Sequence, residues 1–166
     1  MENKSEDKEQ VLIRRFEESD VDDVYETIFK SLYNNGLKKI YEPVKFKIWE
    51  DVYTPKYIIG LAKTKHFYVA VYKEKVVGCA AVSIAESVAF IECVYINTDY
   101  QGLGIGKKLI TACEEDEFSK KAGKINLHAV LSAVKFYQKM GFHFEKECPE
   151  VIVDCGLEIV SMIKEL

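Results

Sequence analysis

The sequence of 166 residues contains three prolines, one tryptophan and no cysteine pair at C-x-x-C spacing. Its five cysteines (Cys79, Cys93, Cys113, Cys148, Cys155) and three histidines (His66, His128, His143) are scattered, with no spacing suited to zinc and no hint of a catalytic triad. An odd cysteine count without a disulfide framework fits a reducing compartment. No apolar run approaches the roughly 20 residues needed to span a bilayer. The opening decapeptide MENKSEDKEQ lacks the apolar stretch of a secretory leader. Basic residues are not in excess: 23 Lys and Arg face 27 Asp and Glu, for a net charge of −4, which disfavours a nucleic-acid partner. Repeats, linkers and low-complexity tracts are also missing. The expectation is a soluble cytoplasmic protein without metal, membrane or nucleic-acid partner.

What is present is an ordinary globular composition, 48% hydrophobic and 30% charged. After a polar tail over residues 1–10, the rest (11–166) reads as one domain. VLIRRF (11–16) is a strand. In the stretch that follows, Val21, Val24, Tyr25, Ile28 and Leu32 share one helical face, with Ser19 and Asp22 as a capping box and Asn34-Asn35-Gly36 as the stop. A second helix over 44–64 is broken near Pro55. HFYVAVY (66–72) and VVGCAAVSI (76–84) form a hairpin, and a turn near Glu86-Ser87 leads to AFIECVYI (89–96). A helix is predicted over about 104–121, its basic end SKKAGK solvated. Then come the strand KINLHAVL, the short helix SAVKFYQKMG ending at Gly141, and the strands FHFEKEC and EIVSMIKEL. The order β-α-α-β-β-β-α-β-α-β-β is a mixed α/β domain.

Three of the nine glycines crowd into the loop DYQGLGIGKK. A strand, a glycine loop and a helix start together form an anion site, because first-turn amides lack intrahelical partners and the helix dipole is positive there. Two nucleotide patterns fail. An ATP-binding G-x-x-x-x-G-K-[ST] loop needs glycine where Gln101 stands and Ser or Thr where Lys108 stands. The dinucleotide pattern G-x-G-x-x-G needs glycine at Lys107 and a βαβ context.

Gln101-Gly102-Leu103-Gly104-Ile105-Gly106 instead resembles the pyrophosphate loop of the GNAT superfamily of N-acetyltransferases, and AVKFYQKMGF (133–142) resembles that family's A-x-x-F-Y-x-K-x-G-F signature. The order of elements is similar from residue 11 onward. The resemblance implies a single-domain GNAT-like α/β fold, with a mixed, mostly antiparallel sheet flanked by helices. It also implies acetyl-CoA as cosubstrate, an amine acceptor that is a small molecule or a peptide, and no metal; homodimers are common in the family. The amides of residues 102–107, with Lys107 adding charge, would hold the pyrophosphate. The backbone of Val94, Tyr95 and Ile96, on a strand splayed from its neighbour, would meet the pantetheine arm and the developing oxyanion.

By the same resemblance Tyr137 would protonate the departing CoA thiolate. Glu92, which interrupts AFIECVYI and shares an alternating strand face with Val94 and Ile96, is the candidate base; a solvated charge or a structural ion pair is the other reading. Glu86 reads as a solvated turn residue. His128 reads as packing or surface, and Met140 and Trp49 as core or pocket wall. Two positions depart from the family: Thr98 stands where proline is frequent, and Val130 where asparagine often contacts the cofactor. Residues 19–64 would select the acceptor, with Tyr33, Tyr41, Trp49 and Tyr53 as wall. The resemblance implies an acetyl-CoA-dependent N-acetyltransferase acting on a primary amine, with the acidic chain slightly favouring a small amine or polyamine; a protein N-terminal or lysine acetyltransferase and a CoA-binding sensor without turnover are the alternatives.

Overall fold

The computed structural model describes residues 10–34, 51–147, 149–154 and 157–166. The described chain runs β1 (Leu12–Arg15), α1 (Val21–Asn34), α2 (Pro55–Thr64), β2 (His66–Tyr72), β3 (Lys75–Ala85), β4 (Val88–Ile96), α3 (Ile105–Glu114), α4 (Glu117–Lys120), β5 (Lys124–Val130), α5 (Val134–Lys139), β6 (His143–Phe144), β7 (Val151–Asp154) and β8 (Leu157–Glu165). The strands form one sheet in the order β1-β2-β3-β4-β5-β8-β6, with β7 also paired to β8. Every pairing is antiparallel except β4 with β5. No described helix is long and apolar enough to cross a membrane.

Each face of the sheet carries its own core. On one face Val24, Ile28 and Leu32 of α1 and Ile58 of α2 pack over Phe67, Val69, Cys79 and Ala81. These α1 residues recur at the helical period, as the sequence predicts. On the other face Ile105, Leu109, Ile110 and Cys113 of α3 pack over Ala80, Val82, Ile91 and Leu127. Burying each such Leu or Ile side chain contributes about 1.5–3 kcal/mol. Strand β3 is covered on both faces, which is why VVGCAAV reads as an unbroken apolar run rather than an alternation.

The hairpins turn where expected. Lys73 and Glu74, then Glu86 and Ser87, occupy the left-handed region (φ 50°, 64°, 48° and 66°), as two-residue turns with matching twist require. The helix expected over 44–64 is broken near Pro55, as predicted: residues 51–52 are helical, the helix stops, and α2 starts anew because Thr54 caps it and proline suits the first turn; residues 44–50 lie outside the described residues. Three expectations need correction. Helix α1 is preceded by a short 3-10 turn (Glu18–Asp20) whose capping box is Glu17 with Asp20, not Ser19 with Asp22. Asp20 accepts from the Glu17 amide at 2.8 Å and is gripped by both Arg14 guanidinium nitrogens, which gives it partners Ser19 lacks. The helix predicted over 104–121 is two, parted at Asp116, which caps α4 by accepting from the Phe118 amide at 2.8 Å. Strand β6 is only His143–Phe144, and β7 (Val151–Asp154) was not expected.

Candidate active site

The parallel ladder between β4 and β5 runs from Val88↔Lys124 to Ile91↔Leu127 and stops there. The cause lies on the other edge of β4. Tyr95 pairs with Cys79 and Glu92 with Ala81, so Cys93 and Val94 together oppose Ala80 in a β-bulge. Cys93 sits at φ 54°, a conformation that few residues with a side chain adopt. A bulge bends the strand that carries it and sharpens its twist. The freed halves of β4 and β5 flank a cavity of about 420 Å³.

From β4 the cavity is lined by Glu92, Cys93, Val94, Tyr95 and Ile96; from β5 by His128 and Val130; and from α5 by Phe136 and Tyr137. Gln101, Ser132 and Ala133 close one side, and Ser31 and Leu32 of α1 another. Beneath it the Tyr95 hydroxyl donates to that of Tyr53 at 2.9 Å, beside the Cys93 thiol. Burial, and then the charge of Glu92, pushes the Cys93 thiol up to about 11, so it rests as a protonated group. The Tyr137 ring is held edge-on between Phe136 and Phe142. Burial raises its phenol above the ordinary tyrosine value, with Cys113 adding to the effect, so the proton stays on oxygen.

The glycine loop stands at the same end of the sheet. Gly102 (φ 85°) and Gly104 (φ 70°) take the left-handed conformation and open the space before α3. Lys108 is the first residue whose amide returns to Gly104, at 3.1 Å, so the amides of residues 105–107 lack intrahelical acceptors. These amides, with an exposed Lys107, fit an anionic diphosphate. Ile105 is buried in the core and offers only its backbone, while Leu103 is exposed. Gly106 serves packing: a Cβ there would lie 2.9 Å from Ile96 Cδ1 and 3.0 Å from Phe136 Cζ. The helix start is thereby seated against a lining strand and a lining ring.

The structure thus brings Glu92, Val94, Tyr95, Ile96, Gln101 and Tyr137 to one cavity, with residues 102–107 beside Gln101. One spatial expectation fails. Glu92 does not share a face with Val94 and Ile96, because the bulge at Cys93 breaks the alternation. Its partner Ala81, like Cys93 and Tyr95, belongs to the α1/α2 face, whereas Val94 and Ile96 pack on the α3 face. Glu92 forms an ion pair with Lys65 and lies 3.5 Å from Ser83 Oγ. His128, expected as packing or surface, lines the cavity. The clue was that it follows Leu127 on the strand adjoining β4, but its use requires the register. Tyr53 lies under the cavity and not on its wall; Tyr41 and Trp49 lie outside the described residues. Among the described residues no cluster of His, Cys, Asp or Glu could hold a metal ion.

A mixed sheet parted between its one parallel pair, with a glycine loop feeding the helix beside the gap, has the architecture of an N-acetyltransferase. Residues 34–142 match the model of the acetyltransferase (GNAT) family, and the chain belongs to that family. The uncharacterized protein YyaT of Bacillus subtilis (strain 168) is 31% identical over 100 residues, which make up 60% of this chain and 66% of that protein. The match therefore spans slightly less than two thirds of the relative. Among solved structures, the PaiA N-acetyltransferase of Thermoplasma acidophilum in complex with coenzyme A superposes with a TM-score of 0.77 at 19% identity, over 95% of this chain and 99% of that one. The ribosomal-protein-S18-alanine N-acetyltransferase of Escherichia coli superposes with a TM-score of 0.67 at 15% identity, over 94% of each chain. Identities this low relate the folds and leave the substrate to be argued from the site.

Proposed function

We propose that the protein transfers the acetyl group of acetyl-CoA to a primary amine. The observation that carries this reading is the parted β4–β5 pair, which leaves a cavity between the glycine loop and Tyr137. The unpaired amides of residues 105–107 and the freedom of Gly102 and Gly104 suit the pyrophosphate. The unpaired edge of β4 at Val94, Tyr95 and Ile96 offers backbone groups to the pantetheine arm and one amide to the carbonyl oxygen as charge develops on it. As the C–N bond forms and the C–S bond breaks, the sulfur leaves as a thiolate and takes the Tyr137 hydroxyl proton. The second proton on the new C–N nitrogen restores the phenol. The thiolate is a weaker base than this buried phenolate, so the hydroxyl gives up its proton only as it takes the one from the new C–N nitrogen.

Glu92 offers the cavity a carboxylate to meet an ammonium, which supports a small cationic amine or polyamine as acceptor. It is also the sequence's candidate for removing the first proton. A protein N-terminus would use the same amine chemistry. The test is a screen of spermidine, lysine amide and alanine-starting peptides, read as free thiol from acetyl-CoA alongside the thermal shift that acetyl-CoA produces. Transfer to spermidine in preference to peptides is the expected result. A thermal shift without thiol release from any amine would identify a CoA-binding module instead.

A further inference from the structure

The last paired step of β4 and β5 sets two further residues side by side. Ile91 and Leu127 are partners, and both point into the core under α3. Because side chains alternate along a strand, their successors Glu92 and His128 point to the opposite face. Adjacent strands lie about 4.8 Å apart at such a step and part beyond it. Glu92 and His128 therefore flank the mouth of the gap on the α1/α2 side, and both line the cavity.

The two groups are not equally available. Glu92 is shared by Lys65 at the end of α2 and by Ser83 of β3. An ammonium reaching it must compete with a cation already there. His128 is exposed, and no hydrogen bond or ion pair to a described residue holds its imidazole. Ser161, its neighbour on β8, is occupied by accepting from Asn126 Nδ2 at 2.9 Å. The titratable groups that share the cavity with His128 are Glu92 on β4, Tyr95 and Cys93 on the same strand, and Tyr137 on α5; Lys65 reaches it only through Glu92. Burial keeps Cys93, Tyr95 and Tyr137 protonated, so none of them can take a proton.

We propose that His128 is the catalytic base: its imidazole accepts the proton of the incoming ammonium, while Glu92, restrained by Lys65, holds the acceptor's charge at the mouth. The proposal rests on the acetyltransferase reading. The ammonium gives one proton to an imidazole nitrogen and becomes the neutral amine, whose lone pair forms the C–N bond. His128 later releases that proton to solvent, so one proton is freed per acetyl group transferred. A neutral imidazole suits this task because one ring nitrogen offers a lone pair that can accept a proton.

The test compares wild type, His128→Gln and Glu92→Gln from pH 5.5 to 9.5. Thiol release is followed with whichever of spermidine, lysine amide or an alanine-starting peptide the wild type acetylates fastest. His128→Gln is expected to lower kcat about 100-fold at pH 7 and leave the thermal shift by acetyl-CoA unchanged. It should also remove the acidic limb of kcat/KM, with the rate returning as pH approaches the amine's own pKa. Glu92→Gln is expected to raise KM for the amine and keep the limb. Should His128→Gln keep both kcat and the limb while Glu92→Gln loses the limb, Glu92 is the base and this proposal is overturned alone. Should the wild type bind acetyl-CoA yet acetylate none of the amines, the transferase reading falls, and this proposal with it.

Discussion

Asp116 accepts a hydrogen bond from the Tyr68 hydroxyl at 2.7 Å, across the seam where α3 gives way to α4. The same carboxylate lies 2.8 Å from His66 Nδ1, accepts the Phe118 amide and is approached by Arg15 at 3.5 Å. Burial alone would push Asp116 toward its neutral form; Tyr68, the Phe118 amide and His66 outweigh that and hold it below the ordinary aspartate value of 3.8. A carboxylate depressed in the folded state lends stability that is complete above its unfolded value and fades as pH falls through the folded one. Acid unfolding of the wild type should therefore carry an Asp116 component below about pH 4. Asp116→Ala should cost about 3 kcal/mol at pH 7, since it strands several donors and removes a helix cap. Urea melts at pH 7 and pH 3 check both statements: the difference between wild type and variant should shrink at the lower pH.

Tyr137→Phe keeps the edge-on packing with Phe136 and Phe142 and deletes only the hydroxyl. Turnover of acetyl-CoA should fall about 100-fold, with CoA affinity by calorimetry nearly intact. Unchanged turnover at saturating substrates would remove the hydroxyl from the mechanism.

Cys93 adopts φ 54° at the bulge that parts β4 from β5. A β-branched residue resists that conformation, so Cys93→Val should destabilise the fold by about 2 kcal/mol or shift the bulge. Cys93→Gly suits the backbone and should preserve acetyl-CoA binding. Denaturant midpoints and the acetyl-CoA thermal shift separate the two variants. Equal behaviour of Val and Gly would show that the backbone at this position carries no strain.

The Glu86-Ser87 turn places two residues with side chains where asparagine and glycine are favoured. The double substitution Glu86→Asn with Ser87→Gly should raise stability by about 0.5–1 kcal/mol. The expected gain in Tm is about 1–4 °C, with no change in KM for acetyl-CoA, since this turn lies at the other end of β4 from the bulge and the loop. A lowered Tm would refute the assignment of this turn as strained.

Much of the architecture was written locally. The α1 stripe of Val24, Ile28 and Leu32 and the glycines before α3 follow from helix period and backbone freedom, and the turns at Lys73-Glu74 and Glu86-Ser87 from the short breaks between apolar runs; none of these needs a distant partner. The loop and the AVKFYQKMGF segment carried the family likeness for the same reason: each is a short segment whose residue types reflect what its own backbone must do.

The rest depended on residues far apart in the chain. Asp116 divides a predicted helix because its partners His66, Tyr68 and Arg15 are supplied by β2 and β1. The bulge at Cys93 has no marker in ECVY, where cysteine carries no preference for a left-handed backbone; it is set by the register of β4 against β3. That single extra residue reverses the face on which Glu92 stands, relative to simple alternation. The pairing of Ile91 with Leu127 then sets His128 beside it. The sequence by itself determined most of the elements, the glycine loop and the family likeness carried by that loop and AVKFYQKMGF. Only the tertiary structure decided which side chains face the gap, because strand register is a long-range property that no local pattern encodes.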